Sequence, residues 1–348
     1  MGFAASRQPR GPAATRQARE TDGPVYAALD LGTNNCRLLV AVPQHDGFRV
    51  IDSFSRAVRL GEGLAANGLL RVDAMDRTLR ALKICAGRLR QHGTTRVRAI
   101  ATEACRRAAN GEAFRARVEE ETGIAIEIIS SEEEASLTVG GCTPLLDRRT
   151  PHALIFDIGG GSTEVIWIGL SAAGEPALLD VMSIPAGVVT LAERYGYGAL
   201  GEDDRQEVRR MVDSAIAPFC ARNGVAAKVA AGTAQMLGTS GTITTLGAMH
   251  LGLARYERVR VDGLWLSLDV VRDLSAVLLG MDMPQRAAVP SIGDARADLV
   301  AAGCSILDAL CRRWPADRIR IADRGIREGI LLDLIRADRD SPVPPRVS

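Results

Sequence analysis

The feature that most constrains the fold of this chain is a strand–turn–strand segment that occurs twice. The stretch "AALDLGTNNCRLLVA" at 27–41 aligns without a gap with "LIFDIGGGSTEVIWI" at 154–168. In each copy an apolar run reaches an aspartate, a glycine follows two residues later, and polar residues lead into a second apolar run. Glycine inside a strand pattern marks a turn or a close backbone approach. The repeat therefore predicts two related units that face each other across a cleft, each offering one hairpin turn.

Helical and strand patterns alternate along the rest of the chain. Residues 73–92 carry apolar side chains at helical spacing, and 294–313 is also predicted to be a helix. The stretch "RVRAIAT" at 96–102 is typical of a strand. This alternation indicates an α/β fold. The predicted organisation is an N-terminal unit at 24–137, a second unit at 138–324, a helix at 325–338 that packs back on the first unit, a disordered tail at 1–23 and a flexible tail at 339–348.

Composition excludes several classes of protein. The chain has 348 residues, of which 47% are hydrophobic and 24% charged, and its net charge of +1 argues against a dedicated nucleic-acid partner. No apolar run reaches the roughly 18 residues that a membrane span needs, so no membrane partner is predicted. The seven cysteines form no C-x-x-C pair and the four histidines are scattered. They indicate reduced thiols, no zinc site and a cytoplasmic protein.

The two turns have the composition of phosphate-binding sites. Glycines let backbone N–H groups point outward as a concave, partly positive nest for phosphate oxygens, and the hydroxyl and amide side chains beside them can add donors. The residues predicted to bind phosphate are those of the two turns: Gly32, Thr33, Asn34, Gly159, Gly160, Gly161, Ser162 and Thr163.

Carboxylates flank both turns and would repel phosphate unless a cation lay between them. Mg²⁺ prefers one or two carboxylates together with water and substrate oxygens. Asp157 ends its strand and is the strongest metal candidate, joined by Asp30. If 163–168 is a strand, Glu164 lies on its apolar face, where a carboxylate is costly unless it meets a cation or donors. The alternative for Glu164 is a strand-end charge that reaches solvent.

Five motifs, in this order, resemble the Ppx/GppA family of exopolyphosphatases and guanosine pentaphosphate phosphohydrolases: "ALDLGTN", "IISSEEEA", "FDIGGGSTE", "GTSGT" and "ADRGIREG". The resemblance runs from about 25 to 337. It implies duplicated actin-like domains, as in sugar kinases and chaperone ATPases, around an interdomain cleft, in the short two-domain form. It also implies Mg²⁺-dependent release of terminal phosphate from inorganic polyphosphate or from pppGpp. Another divalent cation, or a monovalent cation such as K⁺, is an alternative cofactor.

The resemblance implies roles for two further residues. Glu134 matches the family's proposed catalytic base, which would orient or deprotonate the attacking water. From spacing alone Ser131-x-x-Glu134 is instead a capping box at a helix start. Arg106, in "TEACRRAANG", matches a loop that contacts substrate phosphates, and a guanidinium suits phosphate geometry. A solvated surface arginine is the alternative there, and Arg107 is equally available.

Several functional alternatives remain at this stage. Where many relatives have "GAVRL", this chain has "GVVTL" at 187–191, which leaves the substrate preference open. The first hypothesis is a Mg²⁺-dependent exopolyphosphatase, and the second is a pppGpp 5′-phosphohydrolase. A non-catalytic ppGpp-binding sensor and a small-molecule kinase of the same superfamily are less favoured. The partner is accordingly polyphosphate or pppGpp, and whether the chain forms a homodimer is left open.

Overall fold

The computed structural model describes residues 23–198 and 200–340. Its first sheet has five strands: β1 (Tyr26–Leu31), β2 (Asn35–Gln44), β3 (Gly47–Ala57), β4 (Arg96–Ala101) and β5 (Ile126–Ile128). The spatial order is β3–β2–β1–β4–β5, with antiparallel pairs among the first three and parallel pairs from β1 onward. The helices that follow these strands are α1 (Leu64–Asn67), α2 (Val72–Gln91), α3 (Glu103–Arg107), α4 (Gly111–Thr122) and α5 (Ser131–Cys142).

A short 3₁₀ turn, Thr143–Leu145, leads into the second sheet. Its six strands are β6 (His152–Ile158), β7 (Thr163–Leu170), β8 (Pro176–Ile184), β9 (Ala234–Thr239), β10 (Trp265–Ser267) and β11 (Arg318–Ala322). They lie in the order β10–β11–β9–β6–β7–β8. The remaining helices are α6 (Val188–Tyr195), α7 (Glu202–Asn223), α8 (Val225–Ala230), α9 (Gly241–His250), α10 (Arg258–Val261), α11 (Leu268–Gly280), α12 (Met283–Ala287), α13 (Val300–Arg313) and α14 (Ile326–Asp340).

The two sheets repeat one plan. In each, three consecutive strands form an antiparallel meander, β1–β2–β3 and β6–β7–β8. The first strand of each meander also pairs in parallel with a later strand, β4 or β9. The predicted α/β class with two duplicated units is confirmed.

Both faces of the first strand of each sheet, β1 and β6, are buried, which explains the apolar content of these strands. In β1, Leu29 and Leu31 enter the core beneath α2 and α4, whereas Tyr26 and Ala28 pack on the opposite side with Ile330 of α14. This is the period-two alternation of a strand with both faces covered. Helix α14 follows the last strand of the second sheet and packs on the first sheet.

Helix α5 lies between the two units. Leu137 enters the core shared with β1 and α14, whereas Ala135 and Val139 enter a core with β6 and β7. The first turn of α5 is therefore held where the units meet, and this turn carries Glu134.

Some sequence-based boundaries change. The helix predicted at 294–313 begins only at Val300, because 294–299 form turns. The predicted tails 1–23 and 339–348 lie outside the described residues, apart from Gly23 and from 339–340, which end α14. Within the described ranges, no helix combines the length and the apolar content that crossing a membrane requires.

Candidate active site

The first hairpin turn, 32–35, joins β1 to β2. Gly32 N–H donates to the Asn35 carbonyl at 2.9 Å. The carbonyls of Thr33 and Asn34 accept from the segment 58–61: Val58 N and Arg59 N donate to Asn34 O at 2.8 and 3.0 Å, and Gly61 N donates to Thr33 O at 3.0 Å. The N–H groups of Thr33 and Asn34 have no partner in the part of the chain that the structure describes. The turn thus has backbone carbonyls of Thr33, Asn34 and Asn35 that are engaged and backbone N–H groups that are unpaired, which is the arrangement that an anion site needs, although Asn34 Oδ1 is also buried without a partner among the described residues.

The second turn, 159–162, joins β6 to β7 and repeats this arrangement. Gly159 N–H donates to the Ser162 carbonyl at 2.9 Å. Its carbonyls accept from the start of α6: Val188 N to Gly159 O at 3.0 Å, Val189 N to Gly160 O at 2.8 Å, and Thr190 Oγ1 to Gly161 O at 3.0 Å. The N–H groups of Gly160, Gly161 and Ser162 are unpaired among the described residues. Thr190, in the "GVVTL" segment, therefore supports the turn through its side chain.

The two turns touch each other. A Cβ atom on Gly160 would lie 3.0 Å from the Asn34 nitrogen, and one on Gly161 would lie 2.7 Å from Thr33 Oγ1. On its other side, Gly160 packs against Gly187. A Cβ atom on Gly187 would lie 2.3 Å from Gly160 O. The glycine run is required by this close packing, and the structure brings the two predicted phosphate-binding turns together.

The touching turns border a cleft of about 580 Å³. Asp30 and Asp157 both line it, as do Asn34 and two glycines of the second turn, 159 and 160. Burial raises the pKa of Asp157 to about 6, with Asp30 adding repulsion and Arg37 opposing both effects. Burial also raises the pKa of Asp30, and the positive charge of Arg37 opposes this increase. Two half-buried carboxyl groups that disfavour each other's ionisation are a fit place for a cation.

Glu134 is a buried residue on the first turn of α5. The cap of that helix is Ser130, whose hydroxyl accepts from Glu133 N–H at 3.2 Å, so the predicted capping box from Ser131 to Glu134 is wrong. The Glu134 carboxylate instead accepts from Arg106 at 3.2 and 3.3 Å. Burial raises the pKa of Glu134 well above its usual value, Glu164 adds to this shift, and the Arg106 charge opposes it.

Arg106 is distinguished from Arg107 by its surroundings. Its guanidinium donates to Glu103 at 2.8 Å and to the Ile129 carbonyl at 2.7 Å as well as to Glu134. Its side chain is 22% exposed, whereas that of Arg107 is 40% exposed and lies 3.6 Å from Glu103. Of the two arginines, Arg106 is the one in contact with the predicted base.

Glu164 is buried, so the alternative of a solvent-reaching charge is wrong. Its Oε1 accepts from Ser162 Oγ at 2.6 Å and from Ser183 Oγ at 2.9 Å. Burial raises its pKa to about 7, with Asp157 adding repulsion and the two hydroxyls opposing. The hydrogen bonds of this region also correct the prediction that the hydroxyl groups of Ser162 and Thr163 donate to phosphate. The Ser162 hydroxyl is engaged by Glu164, and that of buried Thr163 donates to Ala186 O at 2.6 Å, so neither side chain is free for phosphate.

Sequence reasoning missed all five arginines that line the cleft, of which three stand apart by their contacts: Arg37, Arg296 and Arg327. None of these three forms an ion pair with a carboxylate of the described chain, although Arg296 donates to the Ser291 carbonyl at 2.7 Å. Arg37 could have been found, because the internal repeat aligns it with Glu164. Arg327 lies in "ADRGIREG" without an assigned role, and no local signal marks Arg296.

The carboxylates that line the cleft suit a loosely held divalent ion. Among the described residues, no three acidic, histidine or cysteine side chains converge closely enough to enclose a metal. The cleft instead offers carboxylates at the ends of two strands, Asp30 and Asp157, beside unpaired backbone donors. Mg²⁺ usually keeps several waters and takes only one or two carboxylates along with substrate phosphate, so these residues fit it.

Comparison with known proteins identifies the family of this chain. The sequence model of the Ppx/GppA phosphatase family matches residues 39–337. The chain is 33% identical over 331 residues to exopolyphosphatase 2 of Mycobacterium tuberculosis, covering 88% of this chain and 98% of that protein. Its fold is similar to a Ppx/GppA family member from Aquifex aeolicus, with TM-score 0.73, 25% identity, and 91% and 99% of the two chains covered. It is also similar to an exopolyphosphatase from Cytophaga hutchinsonii, with TM-score 0.80, 26% identity, and 90% and 98% covered.

Proposed function

Because this chain belongs to the Ppx/GppA phosphatase family and is therefore a hydrolase of phosphoric anhydrides, we propose that it is an exopolyphosphatase. It would release terminal orthophosphate from inorganic polyphosphate by attack of water. The observation that carries the proposal is the pair of touching turns, each with its carbonyls tied back and its N–H groups unpaired. Neighbouring phosphates of one chain share a bridging oxygen, so two cradles that hold them must lie side by side.

The cleft beyond the turns supports polyphosphate over pppGpp. Three arginines without carboxylate partners in the described chain line it, and the backbone of a linear polyanion could follow them. A guanine base would need a stacking surface, and the aromatic side chain in the lining is Tyr256, whose hydroxyl is bound to Asp323 at 2.7 Å. Hydrolysis of pppGpp is the second candidate, and its support is membership of the Ppx/GppA family.

The chain's own residues would divide the work of phosphoryl transfer. The turns hold two adjacent phosphates, and Arg106 turns from Glu134 toward the terminal group. Glu134 aims the attacking water and accepts its proton, for which a raised pKa is suitable near neutral pH. Asp157 and Asp30 would hold Mg²⁺, with Glu164 beside them, and the ion would neutralise the charge that develops on the phosphate oxygens. Chemistry of this kind needs mainly positioning and charge stabilisation.

The proposal is tested by offering long-chain polyphosphate and pppGpp side by side, with Mg²⁺, and measuring the orthophosphate released from each. Faster release from polyphosphate is expected. Release from pppGpp alone would favour the second candidate, and release from neither would overturn both.

The role of Glu134 is tested by Glu134→Gln. We expect kcat to fall at least roughly tenfold while polyphosphate binding persists, because general-base catalysis is lost without loss of the cradles. Glu133→Gln is the matched control, since Glu133 is on the same helical turn but pairs with Arg98 and not with Arg106. Unchanged turnover in Glu134→Gln would remove Glu134 as the base.

A further inference from the structure

Arg59 has a backbone conformation that its residue type rarely adopts. Its φ is 48°, and Ser240 is the other non-glycine residue with positive φ in the described ranges. The left-handed region is disfavoured for side chains other than glycine, asparagine and aspartate. Such a conformation persists only where surrounding contacts impose it, which makes Arg59 a residue whose contacts need an explanation.

The contacts of Arg59 reach both units of the molecule. Its backbone N–H donates to the Asn34 carbonyl of the first turn at 3.0 Å. Its guanidinium pairs with Asp298 of the second unit at 2.7 Å. The side chains are 30% and 13% exposed, so the pair is shielded from solvent far better than most surface ion pairs. The guanidinium also lies 5.9 Å from the ring centre of Tyr197, again in the second unit.

The partner of Arg59 belongs to the opposite wall of the cleft. Asp298 stands between Arg296 and Leu299, which both line the cavity. Its second oxygen, Oδ1, is buried and has no hydrogen-bond partner among the described residues, so the charge of Asp298 is balanced by Arg59. A second bridge lies nearby, where Gly63 N–H donates to Glu193 Oε1 at 2.7 Å. Together these contacts connect the segment that contains Arg59 and Gly63, which supports the first turn, to the second unit.

We propose that Arg59 is a positioning residue that sets the spacing of the two phosphate-binding turns. Its backbone fixes the first turn, its side chain fixes the second unit, and the left-handed backbone is what allows both contacts at once. This inference rests on the proposed function, since side-by-side turns matter only if one polyphosphate end occupies both.

The consequence is a specific split in kinetic behaviour. Without the ion pair, a smaller fraction of the free protein has its turns in contact, and the apparent dissociation constant rises by the inverse of that fraction. Saturating substrate restores the closed arrangement, so turnover at saturation is preserved. A residue that served stability alone would lower the melting temperature and leave KM unchanged.

The kinetic test uses Arg59→Ala, Asp298→Ala and the double variant in the full chain, with polyphosphate as substrate. We expect KM to rise roughly tenfold in each single variant, with kcat within about threefold, as for loss of one partner of a shielded charge pair. The double variant should be no worse than either single, because both remove one interaction. Arg115→Ala is the control, since Arg115 pairs with Glu112 on α4 away from the cleft. Unchanged KM, or additive effects in the double variant, would overturn the proposal.

Arg59→Gly is a second variant that keeps the test decisive if Arg59→Ala fails to fold. Glycine accepts a φ of 48° without strain, so this variant removes the side chain while easing the backbone. It leaves Asp298 unpaired as Arg59→Ala does, but without the backbone strain, so its melting temperature should fall less than that of Arg59→Ala while KM is still raised. A stable Arg59→Gly protein with unchanged KM would contradict the proposal.

A measurement without substrate separates this inference from the proposed function. All seven native cysteines are buried, so spin labels can be placed on Leu69→Cys and Val259→Cys, which are exposed positions of the two units. Arg59→Ala should broaden the distance distribution between the labels, and Arg115→Ala should not. Broadening in a protein that hydrolyses no polyphosphate would support the spacing role and reject the function. A distribution unchanged by Arg59→Ala would reject the spacing role, whatever the activity.

Discussion

The two hairpin turns are built alike and charged differently. Each closes with the same bond, from the N–H of its first residue to the carbonyl of its last, at 2.9 Å in both. The residue paired across the hairpin with the leading aspartate differs: Asp30 faces Arg37, whereas Asp157 faces Glu164. The repeated backbone provides two equivalent anion cradles. One changed position leaves the first hairpin with an aspartate–arginine pair and gives the second an aspartate–glutamate pair. Under the proposed function, this difference favours phosphate at the first and a metal ion at the second.

The supports of the turns differ as well. The first turn is tied to an irregular segment, 58–61, and a Cβ on Gly61 would meet the methyl end of the Thr33 side chain at 2.3 Å. The second is tied to the N-terminus of α6, and a Cβ on Gly187 would lie 2.3 to 2.5 Å from backbone atoms of 160 and 161. A side chain can move aside, whereas backbone inside a turn cannot. The second turn is therefore the more rigidly supported of the two.

The largest expected effect comes from Gly187→Ala. Gly187 has φ −119° and ψ 170°, which any residue adopts, so the glycine is required by space alone. The added methyl must displace the second turn, and we expect activity to fall roughly a hundredfold. The free energy of unfolding should also fall, by about 3 kcal/mol.

Gly61→Ala should have a smaller effect, because Thr33 can change rotamer. Gly87→Ala in α2 is the control, since a Cβ there meets nothing within 4 Å and alanine favours the helix. Polyphosphate turnover and urea unfolding measure all three variants. If Gly61→Ala were the more damaging substitution, the order of rigidity would be reversed.

The charge difference is tested by Glu164→Gln and Arg37→Gln. Glu164→Gln should weaken activation by Mg²⁺ by roughly 10- to 100-fold, because a carboxylate beside the ion is lost. Arg37→Gln should instead raise KM for polyphosphate about tenfold, the effect of one charge-assisted contact, with little change in the Mg²⁺ requirement. Titration of activity against Mg²⁺ and against polyphosphate separates the two. Identical profiles for both variants would show that the two positions do not divide their roles.

The smallest expected effect is on stability as pH changes. The folded pKa values of Asp157 and Glu164, about 6 and about 7, exceed the unfolded values of about 4. The protonated groups thus favour the folded chain below about pH 4, and this stabilisation is lost as pH rises through 6 and 7. A divalent ion binds the ionised groups, so Mg²⁺ should raise the melting temperature more at about pH 8 than at about pH 5.5. Glu164→Gln should reduce that difference, and an equal Mg²⁺ effect at both pH values would argue against a carboxylate site.

Residues near each other in sequence were the ones whose placement was predictable. The two turns, their aspartates and the helix that starts before Glu134 follow from local pattern, because glycine, strand alternation and capping act within a few residues. The capping residue itself was misplaced by one position, since Ser130 and Ser131 have the same chemistry. The bond from Ser183 to Glu164 was not foreseen either, because it depends on how the neighbouring strand β8 pairs with β7.

The sequence by itself determined that the chain forms two copies of one hairpin, with glycines where backbone must turn or approach closely. The tertiary structure decided what those hairpins meet. Arg296 reaches the cleft, Arg106 reaches Glu134, and Arg59 reaches Asp298, although the last two residues are 239 positions apart in the chain. Local conformation depends on neighbouring residues, whereas the pairing of distant charges depends on how two separate cores pack against shared helices.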